Sequence, residues 1–244
     1  MKRVLCASLI LLCSASAEAW TRAGDERIAN KAAQLAPGDL RIMIERFELE
    51  YKQGQARAQS DEGSDTHRNY TRRGMLRQRI EHETNVAVTM VRGGRPMSSV
   101  VDQLGFLAHF VADANNPFHI LNDDPRLSAS ESDFKRYFER RLAKFPTVFY
   151  GLEPNFRLGA YLDKTIARTS SFYPLMREEY FRHGERRTSA EFDDRSTAFG
   201  IASVCYSRAV TDLVNLYYYI WRQAGGDVRS ASLMRGSNLV LNAN

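Results

Sequence analysis

HFVADANNPFH, residues 109–119, holds two of the five histidines in the chain. His109 and Asp113 stand at i and i+4, so a helix running through them places both on one face. Pro117 cannot continue that helix, and His119 follows just past its end. Three groups bearing imidazole nitrogen or carboxylate oxygen therefore converge, and such donors suit zinc. A lone His-x3-Asp pair also describes a buried histidine hydrogen-bonded to an aspartate, and donor type by itself names no metal. Upstream, Ser99 and Asp102 read as a capping-box start. Leu104, Leu107, Ala108, Val111 and Ala112 then recur at helical spacing. The stretch predicts an apolar helix that ends in a group of potential ligands.

Outward from it, the remaining segments also read as helical. Residues 22–36 and 39–52 carry apolar faces, separated by Pro37 and Gly38. QGQARAQSDEGSDTHRN, 53–69, is polar, lacks periodicity and reads as a loop. A helix is predicted from Met75 to Val91, ended by RGGRP. After a loop over 120–131 come helices over 132–144, 158–181 and 189–223, with PTVFYGLEPN as a connection. Ala209, Val210, Leu213, Val214, Tyr217, Ile220 and Trp221 give the last helix a core face, which Gly225 and Gly226 end. No repeat or alternating strand pattern is present, and one all-α domain is the economical reading. The polar tail, 228–244, is expected to be mobile.

The first 19 residues differ from everything after them. A basic MKR, the apolar VLCASLILLCSASA and the small-residue AEA pattern read as a cleaved export signal. Cleavage removes Cys6 and Cys13 and leaves Cys205, so no internal disulfide is expected; Cys205 sits in an apolar helical pattern as a core thiol. It also removes Lys2, Arg3 and Glu18, taking the net charge from +5 to +4. That mild excess admits anionic partners such as lipid headgroups or nucleic acid without selecting either. No membrane-spanning segment is expected after cleavage. The expected product is periplasmic or secreted, and it starts at Trp20 with a free α-amine that, with its own carbonyl oxygen, can chelate a metal.

WTRAGDERIANKAAQLAP from residue 20, HFVADANNPFH and the final helix together resemble the superfamily of zinc-dependent phospholipases C and S1/P1-type nucleases, over about residues 20–227. The resemblance implies an exported, single all-α domain of the phospholipase C/P1 nuclease type. It also implies a mature N-terminal tryptophan that binds zinc, a His-x3-Asp-x5-His helix and up to three zinc ions in one cleft.

Carried onto this chain, the resemblance gives His109, Asp113 and His67 to a first zinc, with Asp113 bridging to another. The acid completing that first site is Glu50, with Asp61 and Asp65 as alternatives; Glu50 is also assigned to orient or deprotonate the water. His119 and Glu139 belong to a second site, but Lys135 stands where the family has a histidine. A protonated lysine is no ligand. Asp123 or Asp124 fills that gap, or Lys135 replaces the ion and meets a substrate phosphate with its own charge. Trp20, Asp113 and Asp25 serve the third, with Asp25 in place of a histidine. His82 and His183 read as surface residues.

The activity this implies is phosphodiester hydrolysis on a phospholipid headgroup or another phosphodiester. The short interval after His119, without a Gly-Gly-Asn insert, and the lack of disulfides favour the phospholipase C branch. The WxxxG start resembles the nucleases, whose substrate is nucleic acid. Lys135 and Asp25 keep open a third reading, a non-catalytic relative with an incomplete metal site.

Overall fold

The computed structural model describes residues 20–60, 65–70, 74–120 and 124–229, and a strand at 239–241. The predicted export signal, Asp61 and Asp123 lie outside the described residues. Apart from one two-stranded ribbon, the described chain is all-α.

Helix α1, Arg22–Gln34, starts on Thr21, whose hydroxyl accepts the Gly24 N–H at 3.2 Å. This cap fixes Asp25 in the first turn, while Ile28, Ala29 and Ala32 face the core. The helix predicted over 39–52 is two helices, α2 (Gly38–Arg46) and α3 (Glu48–Gln59), broken at Phe47 with φ −114° and ψ 40°. Moreover, α3 continues through residues 53–59, which were expected to form loop. Its inner stripe is Tyr51, Gly54, Gln55 and Ala58, too small and polar to show apolar periodicity.

Tertiary contact explains that helix. α3 crosses α5, Met97–Asp113, with the two backbones touching. A Cβ on Gly54 would stand 1.9 Å from the Asp102 carbonyl oxygen, and one on Gly105 would stand 2.0 Å from that of Tyr51. Only glycine permits the crossing at this distance. α5 begins at Met97, directly after Pro96, without the predicted capping box; Asp102 instead pairs with Arg57 at 2.6 Å.

Beside α5 lie α4 (Leu76–Arg92) and the long α11 (Thr197–Gln223), capped by Ser196. With 27 residues α11 spans about 40 Å. α5 and α11 carry a large share of the buried apolar side chains and form the centre of the core. Cys205 is among them; burial pushes its thiol up to about 12, which leaves it inert at neutral pH.

Between α5 and α11 the chain forms α6 (Pro117–Ile120), α7 (Pro125–Ser128), α8 (Glu131–Arg141), α9 (Leu158–Ser170) and α10 (Tyr173–Tyr180). The predicted 158–181 helix divides at Ser171 and Phe172, and only a short turn, Ser189–Glu191, precedes α11. The connection PTVFYGLEPN contains strand β1, Thr147–Phe149, antiparallel to β2, Leu239–Leu241, in the register Thr147↔Leu241, Val148↔Val240 and Phe149↔Leu239. Residues 239–241 of the tail thus pair with β1, and three residues are too few to show strand alternation in sequence. No helix among the described residues is long and apolar enough to cross a membrane.

Candidate metal centre

The last turn of α5 presents His109 and Asp113 side by side, both buried. Just beyond, Asn116 closes the turn: its Oδ1 accepts the Phe118 N–H at 3.0 Å. Pro117 stops α5 from continuing and opens α6, so His119 lies in a new single turn. His67 arrives from a tight turn, Asp65–His67. Main-chain bonds dock this loop: the Asn69 N–H donates to the His119 carbonyl, and the His119 Nδ1–H donates to the His67 carbonyl, both at 2.8 Å.

Asp113 is the hub. Its Oδ2 is 2.7 Å from His67 Nδ1 and 3.5 Å from His109 Nε2, while Oδ1 is 3.6 Å from His119 Nδ1. On the far side of His109, Nδ1 is 3.0 Å from Asp25 Oδ2, which also accepts Gln59 Nε2 at 3.5 Å. Burial pushes the Asp113 carboxyl up, but His109, His119 and His67 outweigh it and hold Asp113 below its usual range. Asp25 keeps the opposite balance: burial raises it, and His109 only partly offsets the rise.

Three buried atoms of this group have no hydrogen-bond partner: Asp25 Oδ1, Asp113 Oδ1 and His67 Nε2. Buried polar atoms are rarely left so. One donor atom from each of His67, His109 and Asp113 falls within 4.8 Å of the others, so a small inward shift of the side chains brings all three to the ligand distances of about 2.0–2.2 Å that zinc takes. The donors therefore fit a zinc-type ion. A carboxylate on the other nitrogen of each ring, Asp25 on His109 and Asp113 on His67, is how ligating histidines are commonly oriented.

Trp20 borders the same place. Its indole is buried, packs tilted against Phe138 of α8 with ring centroids 4.1 Å apart, and donates Nε1–H to the Ala112 carbonyl at 2.9 Å. That anchor sets Trp20 against Ala112, the residue before Asp113.

Other sequence candidates are not brought in. Glu50 is half-buried in the first turn of α3, nine residues and about 13 Å along that helix from Gln59, the α3 residue that touches Asp25. Asp65 is exposed, and Asp124 caps α7 and pairs with Arg126. Glu139 is exposed on α8, whereas Lys135 on the same helix is half-buried. His82 and His183 are exposed as expected.

Sequence reading missed Glu131 and Arg68. Glu131 Oε1 lies 3.0 Å from His119 Nε2, and Arg68 reaches both Glu131 oxygens, at 3.3 and 3.4 Å. Burial pushes Glu131 up, and His119 and Arg68 hold it below its usual range. The available signal was the i, i+4 pair Glu131 and Lys135, one turn earlier than Lys135 and Glu139.

No protein-family model and no curated relative matches the sequence. Among solved structures, the crystal structure of Clostridium perfringens alpha-toxin from avian strain SWCP matches with a TM-score of 0.57 at 13% identity. The match covers 84% of this chain and 65% of the toxin, so the chain spans a little under two thirds of the toxin's length. At that identity the likeness is one of fold. It supports the all-α architecture and points to no particular activity.

Proposed function

We propose that this chain is an exported, zinc-dependent phosphodiester hydrolase of the phospholipase C type, periplasmic or secreted. One observation carries the reading: the buried donors His67, His109 and Asp113, with unpartnered atoms, gathered at the end of α5 in an alpha-toxin-like fold. Zinc bound there supplies a water of lowered pKa and positive charge for the phosphate.

The chain's own residues do the rest. Asp25 holds the His109 ring through Nδ1, leaving Nε2 directed at Asp113; its second oxygen stays free to ligate. Asp113 steers His67 in the same way. Burial of all four excludes bulk water from the donors and strengthens their electrostatic hold. Signal cleavage would free the α-amine of Trp20, whose indole is anchored on Ala112, to join the donor set. Lys135, one turn after Glu131, offers a charge to the substrate on the His119 side, where Glu139 is turned to solvent.

The deciding experiment is elemental analysis of mature protein beginning at Trp20, followed by assays on a choline phospholipid and on single-stranded nucleic acid. The reading expects bound zinc and turnover of the phospholipid. Cleavage of nucleic acid alone would move the chain to the nuclease branch. A zinc-free protein after incubation with zinc would leave a non-catalytic relative.

A further inference from the structure

A second polar line runs outward from the buried donors, and the chemistry above does not use it. His119 is wholly buried, with Nδ1 on the His67 carbonyl and Nε2 on Glu131. Glu131, 14% exposed, receives the guanidinium of Arg68, 15% exposed. Arg68 also bonds the Tyr70 hydroxyl and follows His67 directly in the chain. The order Asp113, His119, Glu131, Arg68 therefore leads from the core to the surface of the site.

We propose that Arg68 is a phosphate-binding residue of this site: held by Glu131 and Tyr70 at the partly exposed end of this line, the guanidinium binds the phosphate oxygens of an anionic phosphoester. The proposal rests on the phosphodiesterase reading and names the residue that grips its substrate.

Four features carry it. Both ring nitrogens of His119 already face oxygen acceptors, and Glu139 is exposed, so this side is short of ligands for a further ion. A fixed organic cation sits there instead. Arginine stays charged at any working pH, and its planar fork matches two phosphate oxygens. The contacts to Glu131, at 3.3 and 3.4 Å, are longer than the about 2.7–2.9 Å of a tight charged pair, so Glu131 orients Arg68 without saturating it. Finally, partial burial of both side chains reduces the solvent screening that weakens exposed charges.

The test is the affinity of inorganic phosphate for the zinc-loaded mature protein, measured by calorimetric titration together with zinc per chain. Arg68→Gln weakens phosphate binding by about tenfold or more, the loss of a charge-assisted contact, with zinc per chain unchanged. Arg68→Lys keeps the charge, loses the fork and falls between. Glu131→Gln acts in the opposite direction: it removes the carboxylate that competes for Arg68, and phosphate binds more tightly.

Equal affinity in the wild type and Arg68→Gln overturns the proposal, as does a wild type that binds no phosphate. So does a Glu131→Gln variant that loses one zinc and binds phosphate more weakly, because Glu131 is then a ligand. If Arg68→Gln fails to fold, the sign of the Glu131→Gln change decides. A zinc-free wild type defeats the phosphodiesterase reading instead, while the same titration still reports whether phosphate binding depends on Arg68.

Discussion

On the His109 side of the cluster, Asp25, His67, His109 and Asp113 face one another in full burial, with unpartnered atoms turned inward. On the His119 side the acceptors and cations are already matched: His119 to Glu131, and Glu131 to Arg68, with the last two reaching solvent. The first arrangement is costly without an ion, since buried unpartnered polar atoms are strongly disfavoured. The second has its charges paired without an ion, and leaves the Arg68 fork room for an anion. The two sides therefore divide the work, one suited to holding a metal and the other to meeting an anion.

Replacing the hub breaks the first side most severely. Asp113→Asn keeps the shape but removes the negative charge shared by three histidines. We expect zinc per chain to fall to trace level and the metal-free protein to lose about 3–5 kcal/mol, as when one partner of a buried ion pair is removed. Elemental analysis and thermal unfolding read the two effects. Retained zinc in this variant would take the hub role away from Asp113.

A smaller loss should follow from extending the chain. A tag left before Trp20 converts its α-amine into an amide while the indole keeps its bond to Ala112. Zinc per chain should then drop with little change in the melting temperature of the metal-free form. Equal zinc in tagged and authentic-start protein would remove the amine from the donor set.

Asp25 offers a pH-resolved comparison within the buried side. Its pKa is raised by burial, so in metal-free protein its contribution to stability is full below the ordinary aspartate value, about 3.9, and is lost as pH rises through the raised value. Asp113 and Glu131 are depressed and run the other way: their contributions hold above the ordinary carboxylate values and fade as pH falls through the lowered ones. Asp25→Asn removes only the first effect. In the presence of chelator the variant should melt above the wild type at pH 8 and level with it at pH 4, each kcal/mol being worth about 2–4 °C in a chain of this size. With zinc the order at pH 8 should reverse. A pH-independent difference would show that Asp25 is not ionised in the buried state.

These sites differ in how far the sequence exposes them. The helix carrying His109 and Asp113 is legible because Leu104, Leu107, Val111 and Ala112 repeat at the helical period, and Pro117 marks its end. His67 is less so: nothing local separates a loop histidine from a buried one, and its burial depends on main-chain bonds to His119. Residues 53–59 show no helical pattern in sequence because α3 packs through Gly54 and Ala58, where close backbone approach replaces apolar side chains. Glu131 was hidden because α8 starts one residue earlier than the predicted helix, inside a stretch read as loop. Patterns of burial along one element are visible in sequence, whereas pairings between distant short segments are not.

Glu139 and Glu131, two turns apart on α8, give the subtlest test. The family resemblance assigns the ligand to Glu139, but that side chain is exposed, while Glu131 touches His119. Glu139→Gln should therefore change stability by no more than about 0.5 kcal/mol, as ordinary surface substitutions do, and leave zinc and phosphate binding as in the wild type. Its value lies in the contrast with Glu131→Gln, which must alter phosphate affinity. If Glu139→Gln lowered zinc per chain, α8 would have to turn about its axis in the metal-bound protein. Phe134 and Phe138, packed on Trp20 at 6.0 and 4.1 Å, resist such a turn, because it would drag both rings off the indole that is bonded to Ala112.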